Sequence, residues 1–494
     1  MTLSLFVVKY TYNTRKRNDM GRYKKLLSNT AILAVGTFAS KVLVFLMMPL
    51  YTSILATDEF SVADLITQTA NLLIPLACIG IVDGIFRFAL DGEEDRKTTF
   101  SSGLAVLCAA SFVFAAIALV LELVGISGQI GNYVWLVAIY VIAANFHSAV
   151  AQYIRAKGNT LLFAVGGMIG TALTVAFNVL FLVAFDMGVL GYVLSVVVAD
   201  IVVTIILFLR AKLYRDIDFR LIDKAKISEM LKYSIPMIPT TVFWWITNVS
   251  DRYMVSAMVN HDVNGLYSAA YKIPTLLTLI CMVFIEAWQF SAVSESDEKE
   301  RSDFFSSVFA AYQGILFMAA SALILFSKVA TVILLDESYY ESWKYIPILA
   351  LAMTFSALVT FMGSVYLVKK KSVMSFVTAA IGAVVNVVLN FLLIPMFENS
   401  AMGAAIATFA SYFVVMIIRS VNTQKYVPFN MGILKLVFNT LAVAGQAMVM
   451  TLEIKYWIAV EILIFAAVVT VNGRDILRGV MGALKNLRKK SKNI

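Results

Sequence analysis

The chain has 494 residues, of which 60% are hydrophobic and 14% charged, with a formal net charge of +9. Soluble domains carry roughly 45–50% apolar and ~25% charged residues, and a soluble chain of this length would be several domains joined by polar linkers. No such linker interrupts the sequence, which excludes a multidomain soluble protein. The apolar runs recur from end to end, many reaching the roughly 20 residues that a helix needs to cross a bilayer core.

In chain order, a basic tail over 1–26 is followed by predicted spans near 27–53, 61–88, 100–124, 132–154, 161–185, 188–210, 233–257, 265–292, 303–326, 343–368, 372–396, 401–420, 431–452 and 455–472, then by a second basic tail over 473–494. The segment Leu3–Val8 is too short for a signal peptide and is followed by basic residues rather than a small-residue cleavage site. The first span is therefore expected to direct insertion. Lys328–Tyr340 reads as a short interfacial helix.

Cytoplasmic loops collect Lys and Arg. With the N-terminus inside, most of the 40 lysines and arginines fall in inward loops and tails, Lys328, Lys344 and Lys455 lie outside, and Lys41, Arg87, Arg252 and Lys272 lie within spans. Both termini are thus expected in the cytoplasm. Trp135, Trp343 and Trp457 begin helices on the outer side, as interfacial anchors do. The basic residues are spread over short loops, which argues against nucleic acid, and the tail from Arg488 to Lys492 is expected to lie on anionic headgroups.

The chain also matches itself at an offset of 212 residues. Lys157 meets Lys369, Thr160 meets Ser372, Gly170 meets Gly382, Asn178 meets Asn390, Phe185 meets Phe397, Asp186 meets Glu398 and Gly191 meets Gly403. A weaker echo sets Phe60–Ala63 against Tyr267–Ala270. The repeat unit is six helices, so both copies face the same way, which suggests two lobes with a path between them. The expected architecture is all-α, with an N-lobe over 27–214, an inter-lobe linker over 215–232, a C-lobe over 233–423 and two further spans over 431–472.

Charges deep in lipid are costly and persist where they face a wet cavity or a partner. Lys41 lies about fourteen residues into the first span, so roughly 21 Å of helix separates it from the cytoplasmic end. Asp83 and Arg87 are four apart on one face of span two, with Asp64 nearer its outer end. Asp200 lies near the middle of span six, Asp251 and Arg252 in the outer third of span seven, and Lys272 and Glu286 on one face of span eight. The cations Lys41, Arg87, Arg252 and Lys272 are candidates to line a path for an anionic cargo, although Asp83–Arg87 and Asp251–Arg252 also read as structural pairs. Trp244 and Trp245 lie too deep for interfacial anchoring and suit either a sugar or lipid contact or core packing. Glu122 and Glu461 are read as snorkelling to the outer interface. Pro49, Pro75, Pro236, Pro239 and Pro274 bend spans one, two, seven and eight.

Cys78, Cys108 and Cys281 read as small apolar residues, and with His147 and His261 as the only histidines no zinc site is expected. The sequence contains no Gly-Lys dipeptide and so no phosphate-binding loop for ATP hydrolysis. The short outer loops disfavour an enzyme such as a membrane-embedded sugar polymerase or ligase.

The stretches Asn248–Ser256 and Asn264–Pro274 resemble the seventh-to-eighth helix region of the polysaccharide biosynthesis (Wzx-type oligosaccharide flippase) family, and Val385–Pro395 with Gly403-Ala-Ala resembles its eleventh and twelfth helices. After Asp58-Glu59-Phe60 this chain has Ser61 where the family often has Gly. The resemblance implies a fourteen-helix, two-lobed fold and, as cargo, a polyprenyl-diphosphate-linked oligosaccharide moved across a bacterial inner membrane, with other polysaccharide assembly proteins as possible partners. Lys41, Arg87, Arg252 and Lys272 would receive the diphosphate and acidic sugars. Asp64, Asp83, Asp200, Asp251 and Glu286 are candidates for a coupling Na+ or H+, with no other cofactor. The alternative is a multidrug or organic-cation antiporter of the same fold.

Overall fold

The computed structural model describes residues 43, 45–90, 92–125, 131–279, 281–282, 284–285, 298–369 and 371–473. Lys41, Glu286 and both basic tails lie outside the described residues. All regular structure among the described residues is helical. The first half contains α1 (Met48–Ile54), α2 (Thr57–Ala77), α3 (Ile81–Ala89), α4 (Glu93–Val124), α5 (Val134–Ala156), α6 (Thr160–Asn178), extended by a π turn over Val179–Ala184, and α7 (Gly188–Arg210). The second contains α8 (Lys224–Ser234), α9 (Ile238–Met258), α10 (His261–Lys272), α11 (Glu298–Leu325), α12 (Ser327–Leu334), a 3-10 segment (Glu337–Lys344), α13 (Ile346–Val368), α14 (Ser372–Leu393), α15 (Met402–Gln424), α16 (Ile433–Leu452) and α17 (Trp457–Gly473).

Ten helices among the described residues are long and apolar enough to cross a membrane, and each falls on an expected span. Of the other four spans, the first and eighth run into residues outside the described set. The seventh, α9, is diluted by Thr, Asn, Asp251 and Arg252, and the fourteenth, α17, is shorter. The protein is a multi-pass membrane protein.

Two spans expected to be continuous are broken. α2 ends at Ala77 and the helix restarts at Ile81, because Ile79 and Gly80 adopt positive φ of 53° and 66°. Pro75 supplies no amide to the ladder and glycine takes the left-handed turn without a Cβ penalty. The Gly80 amide closes the turn by donating to the Pro75 carbonyl at 2.9 Å. A Cβ at Gly80 would lie 3.0 Å from the Ser234 Cβ, so the absent side chain also seats α8, which lies largely within the expected linker, against the N-lobe. The second break follows α10, where Ile273 and Pro274 form a turn before the chain is helical again from Thr275. Lys272 is therefore the last residue of its helix.

The 212-residue repeat is visible in packing. A Cβ at Gly191 would lie 3.1 Å from the Phe181 carbonyl oxygen, and one at Gly403 would overlap the Leu393 carbonyl, the same register one repeat later. Gly170 faces Val203 as Gly382 faces Val415. Asn178 and Asn390 are both buried. The lobes diverge at one matched pair. Gly166 packs against Leu207, whereas at the equivalent C-lobe positions Thr378 accepts from the buried Arg419 at 3.0 and 2.8 Å. Sequence reading counts Arg419 with the inward loop cations. In the fold it lies within α15, 1% exposed, donating also to the Val359 carbonyl at 2.8 Å.

Two interfacial readings also change. Trp343 is buried, with the Lys328 ammonium 4.2 Å from its ring centroid, rather than facing a headgroup layer. Glu122 is exposed as a snorkelling residue is, but Glu461 is fully buried. Hydropathy locates a residue in depth and does not reveal which helix face carries it.

Candidate functional site

α2 of the N-lobe carries a stripe of residues at helical spacing that faces the C-lobe. At its first turn, Gly265 lets α10 approach until a Cβ there would overlap the Thr57 carbonyl. The Thr57 hydroxyl donates to Asp262 at 2.6 Å and Asn264 donates to the Ser61 hydroxyl at 2.7 Å. Ser61, the departure from the family pattern, thus has a partner across the interface. One turn further, Asp64 receives Arg252 Nη1 of α9 at 2.8 Å and Lys272 Nζ of α10 at 2.9 Å. Gln68 donates to the same carboxylate at 3.4 Å, and its backbone carbonyl accepts from Trp245 Nε1 at 2.9 Å. Tyr253 donates to the Leu65 carbonyl at 3.1 Å and shares a 2.6 Å hydrogen bond with Thr69. The seam runs from residue 57 to residue 69, about 18 Å of helix. Tyr339 strengthens the same end by donating to the carbonyls of Leu55 and Ala56 at 2.8 and 2.9 Å.

This is the end that the charge pattern assigns to the outside. Toward the other end, Asn71 and Leu76 on α2 and Pro239 and Thr241 on α9 are exposed, as are Asp83 and Arg87 on α3. The described cross-lobe bonds of α2 are therefore concentrated at one end of the fold.

The charged set is nearly dry. Asp64 is 2% and Arg252 4% exposed, whereas the Lys272 side chain keeps 27% of its surface. The Arg252 guanidinium lies 4.5 Å from the Tyr271 ring centroid and its Nε has no hydrogen-bond partner. Two cations thus share one carboxylate. The second negative charge is Asp251, fully buried, whose carboxylate accepts from Tyr267 at 2.6 Å, Thr408 at 3.0 Å and the Arg252 amide at 2.9 Å. Thr408 also accepts from Asn386 at 3.3 Å, and Asn386 accepts from Ser250 at 2.9 Å and Asn390 at 3.0 Å. This oxygen-rich network joins α9, α10, α14 and α15.

Of the sequence candidates, the fold brings together Asp64, Arg252 and Lys272, with Asp251 and Trp245 beside them. Trp244 lies apart, 5.6 Å from the Arg419 guanidinium. Asp200 lies elsewhere in the N-lobe, 2.9 Å from His147 Nδ1. Asp83 and Arg87 occupy the first and last turns of α3, where each charge suits the helix dipole. Gln68, Tyr267, Thr408 and Asn386 escaped sequence reading because uncharged polar residues in apolar spans carry no signal until their partners on other helices are placed. No group of three or more His, Cys, Asp or Glu able to hold a metal occurs among the described residues.

A family model described as "Polysaccharide biosynthesis protein" matches residues 26–290. No curated protein matches the sequence. Among solved structures, the lipid II flippase MurJ in an inward closed conformation is similar over 91% of this chain and 100% of its own, at 13% identity and a TM-score of 0.69. An inward-facing multidrug resistance MATE family transporter of the MOP superfamily is similar over 78% of this chain and 95% of its own, at 13% identity and a TM-score of 0.65. A Vibrio cholerae MATE transporter is similar over 81% of this chain and 98% of its own, at 15% identity and a TM-score of 0.55. At these identities the likeness is one of fold.

Proposed function

The chain belongs to the polysaccharide biosynthesis protein family, and on that premise we propose that it moves polyprenyl-diphosphate-linked oligosaccharide across a bacterial inner membrane by alternating access. The observation that carries this reading is the Asp64–Arg252–Lys272 set. Both cations belong to the C-lobe and their shared carboxylate to the N-lobe. When the lobes part at this seam, Arg252 and Lys272 remain together without Asp64. An anion entering the opened interface replaces the carboxylate, and fixed cations in a low-dielectric cleft attract it strongly. A diphosphate is the charged group common to all cargo of this class. Lys272, the exposed member, meets it first.

Lys41 and Arg87 are the further candidate cations for the anion path, and Trp244 and Trp245 are the candidate aromatic contacts for the sugars or the lipid tail, which stays in the bilayer. The neighbouring network is the candidate we favour for the coupling Na+ or H+. Asp251 provides the charge, with Thr408, Asn386 and Asn390 as further oxygen donors, the donor type hard cations prefer. Asp64, Asp83, Asp200 and Glu286 are the other coupling candidates. A paired cation site favours an anionic cargo over the organic cation of a multidrug antiporter, which Arg252 and Lys272 would repel.

The test is replacement of Arg252 or Lys272 by Ala in a strain that depends on this protein for surface polysaccharide. The expected result is loss of polymer with protein still inserted in the membrane. Normal polymer from both variants would refute the cargo site.

A further inference from the structure

A second buried carboxyl lies away from the charged set. Glu461 on α17 is fully buried and neither of its carboxyl oxygens has a hydrogen-bond partner. Gln446 on α16 is the polar side chain beside it. That amide is already committed to α11, its carbonyl accepting from the Ser321 hydroxyl at 2.6 Å and its nitrogen donating to the Ser321 carbonyl at 3.0 Å.

The facing elements offer no described counter-charge. α17 carries no ionisable residue other than Glu461, and α13 carries only Tyr366. Between Phe304 and Leu325, α11 carries only Tyr312, whose hydroxyl is engaged with Cys281. On α16 the one charge is Lys435, eleven residues from Gln446 and so about 16 Å down the helix, where it donates to the Ala310 carbonyl. At the opposite end, Lys328 of α12 is paired with Glu453 and lies over the rings of Trp343 and Trp457.

The helix pair is nevertheless firmly docked. Asn439 and Asn472 exchange hydrogen bonds of 3.0 and 2.8 Å, and Asn472 packs against Gly314 of α11. A carboxylate left bare in such a seam is among the most unfavourable arrangements a fold can hold, so a positive charge must accompany it.

We propose that Glu461, beside the Gln446 side chain, is a binding site for a small monovalent cation, a proton or sodium, in the seam between the C-terminal helix pair and the C-lobe. Its occupancy holds α16 and α17 against α11. The site does not depend on the cargo reading, since none of its residues touches the Asp64 set.

The experiment uses the full-length protein in detergent, with melting temperature and dicyclohexylcarbodiimide labelling, which modifies protonated carboxyls, as readouts. In potassium buffer the wild-type melting temperature falls as pH rises, by roughly 2 °C per pH unit, over the range in which the folded state keeps a proton on Glu461 that the unfolded chain has released. E461Q, neutral at every pH, loses that slope. Peptide mapping finds Glu461 labelled faster at lower pH. Added sodium slows labelling at fixed pH if sodium takes the site, and leaves it unchanged if the occupant is a proton. Parallel melting curves for wild type and E461Q, or a Glu461 that stays unlabelled at every pH, would overturn the proposal. The labelling arm on the wild type stands even if E461Q fails to fold.

Discussion

Asp64 on α2 and Arg252 on α9 are 188 residues apart in sequence and 2.8 Å apart in the fold, and this pair joins the two lobes with Lys272 as the third member. Removing one partner of a buried pair costs about 3–5 kcal/mol, because the other charge is left uncompensated. Asp64→Asn is expected to show that scale of loss in unfolding measurements on purified protein. Lys272→Ala should show less, since Arg252 still neutralises Asp64 and Lys272 keeps part of its surface exposed. Equal losses for Asp64→Asn and Lys272→Ala would mean that Arg252 alone does not neutralise the carboxylate.

Gly265 sets how closely the lobes approach at the seam. A Cβ there meets the Thr57 backbone, which cannot rotate away as a side chain can. Gly265→Ala is expected to hold the seam apart and favour the state open at that end. A cysteine introduced at Asn264, on a background with Cys78, Cys108 and Cys281 replaced, should react several times faster with a membrane-impermeant thiol reagent when Gly265 is also Ala. An unchanged rate would show that the seam tolerates the added methyl.

Trp245 tests whether the seam reaches as far as Gln68. Its indole N–H donates to the Gln68 carbonyl across the lobes. Trp245→Phe keeps an aromatic but smaller ring and removes one hydrogen bond, for which the expected loss is about 1 kcal/mol besides the packing of the lost indole atoms. That loss should vanish in the Gly265→Ala background, where the seam is already parted.

The lobes' divergence at Leu207 and Arg419 gives a fourth prediction. Arg419→Leu strands acceptors on Thr378 and Val359 and is expected to destabilise. Adding Thr378→Gly recreates the Gly166–Leu207 contact of the other lobe. The double variant should be less destabilised than the sum of the singles by about 1 kcal/mol. Strict additivity in thermal unfolding would show that the two repeats do not pack alike at this pair.

Much of this architecture was legible in the sequence, because apolar length fixes the spans and the matched glycines of the repeat sit where helices touch. Gly191 and Gly403 could be paired from sequence alone, and they meet equivalent carbonyls. Pro75 and Pro274 marked bends in spans two and eight, but that the helices break there, at Gly80 and at Ile273–Pro274, was not legible, since hydropathy is blind to φ. The breaks matter to the site because the second leaves Lys272 at a helix end. Asp64, Arg252 and Lys272 were each identifiable as costly intramembrane charges, but their convergence on one carboxylate depends on how two lobes meet. The burial of Glu461 depends in the same way on the rotation of α17 about its axis.

The central claim is that the seam along α2 must open for cargo to cross, and one cross-link tests it most directly. Ser61 and Asn264 face each other across the interface in a 2.7 Å hydrogen bond. Ser61→Cys and Asn264→Cys are combined in protein lacking Cys78, Cys108 and Cys281, and translocation of polyprenyl-diphosphate-linked oligosaccharide is measured in proteoliposomes before and after oxidation. The account predicts that the disulfide-locked protein stops transport and that reduction restores it. Undiminished transport by quantitatively cross-linked protein would contradict it.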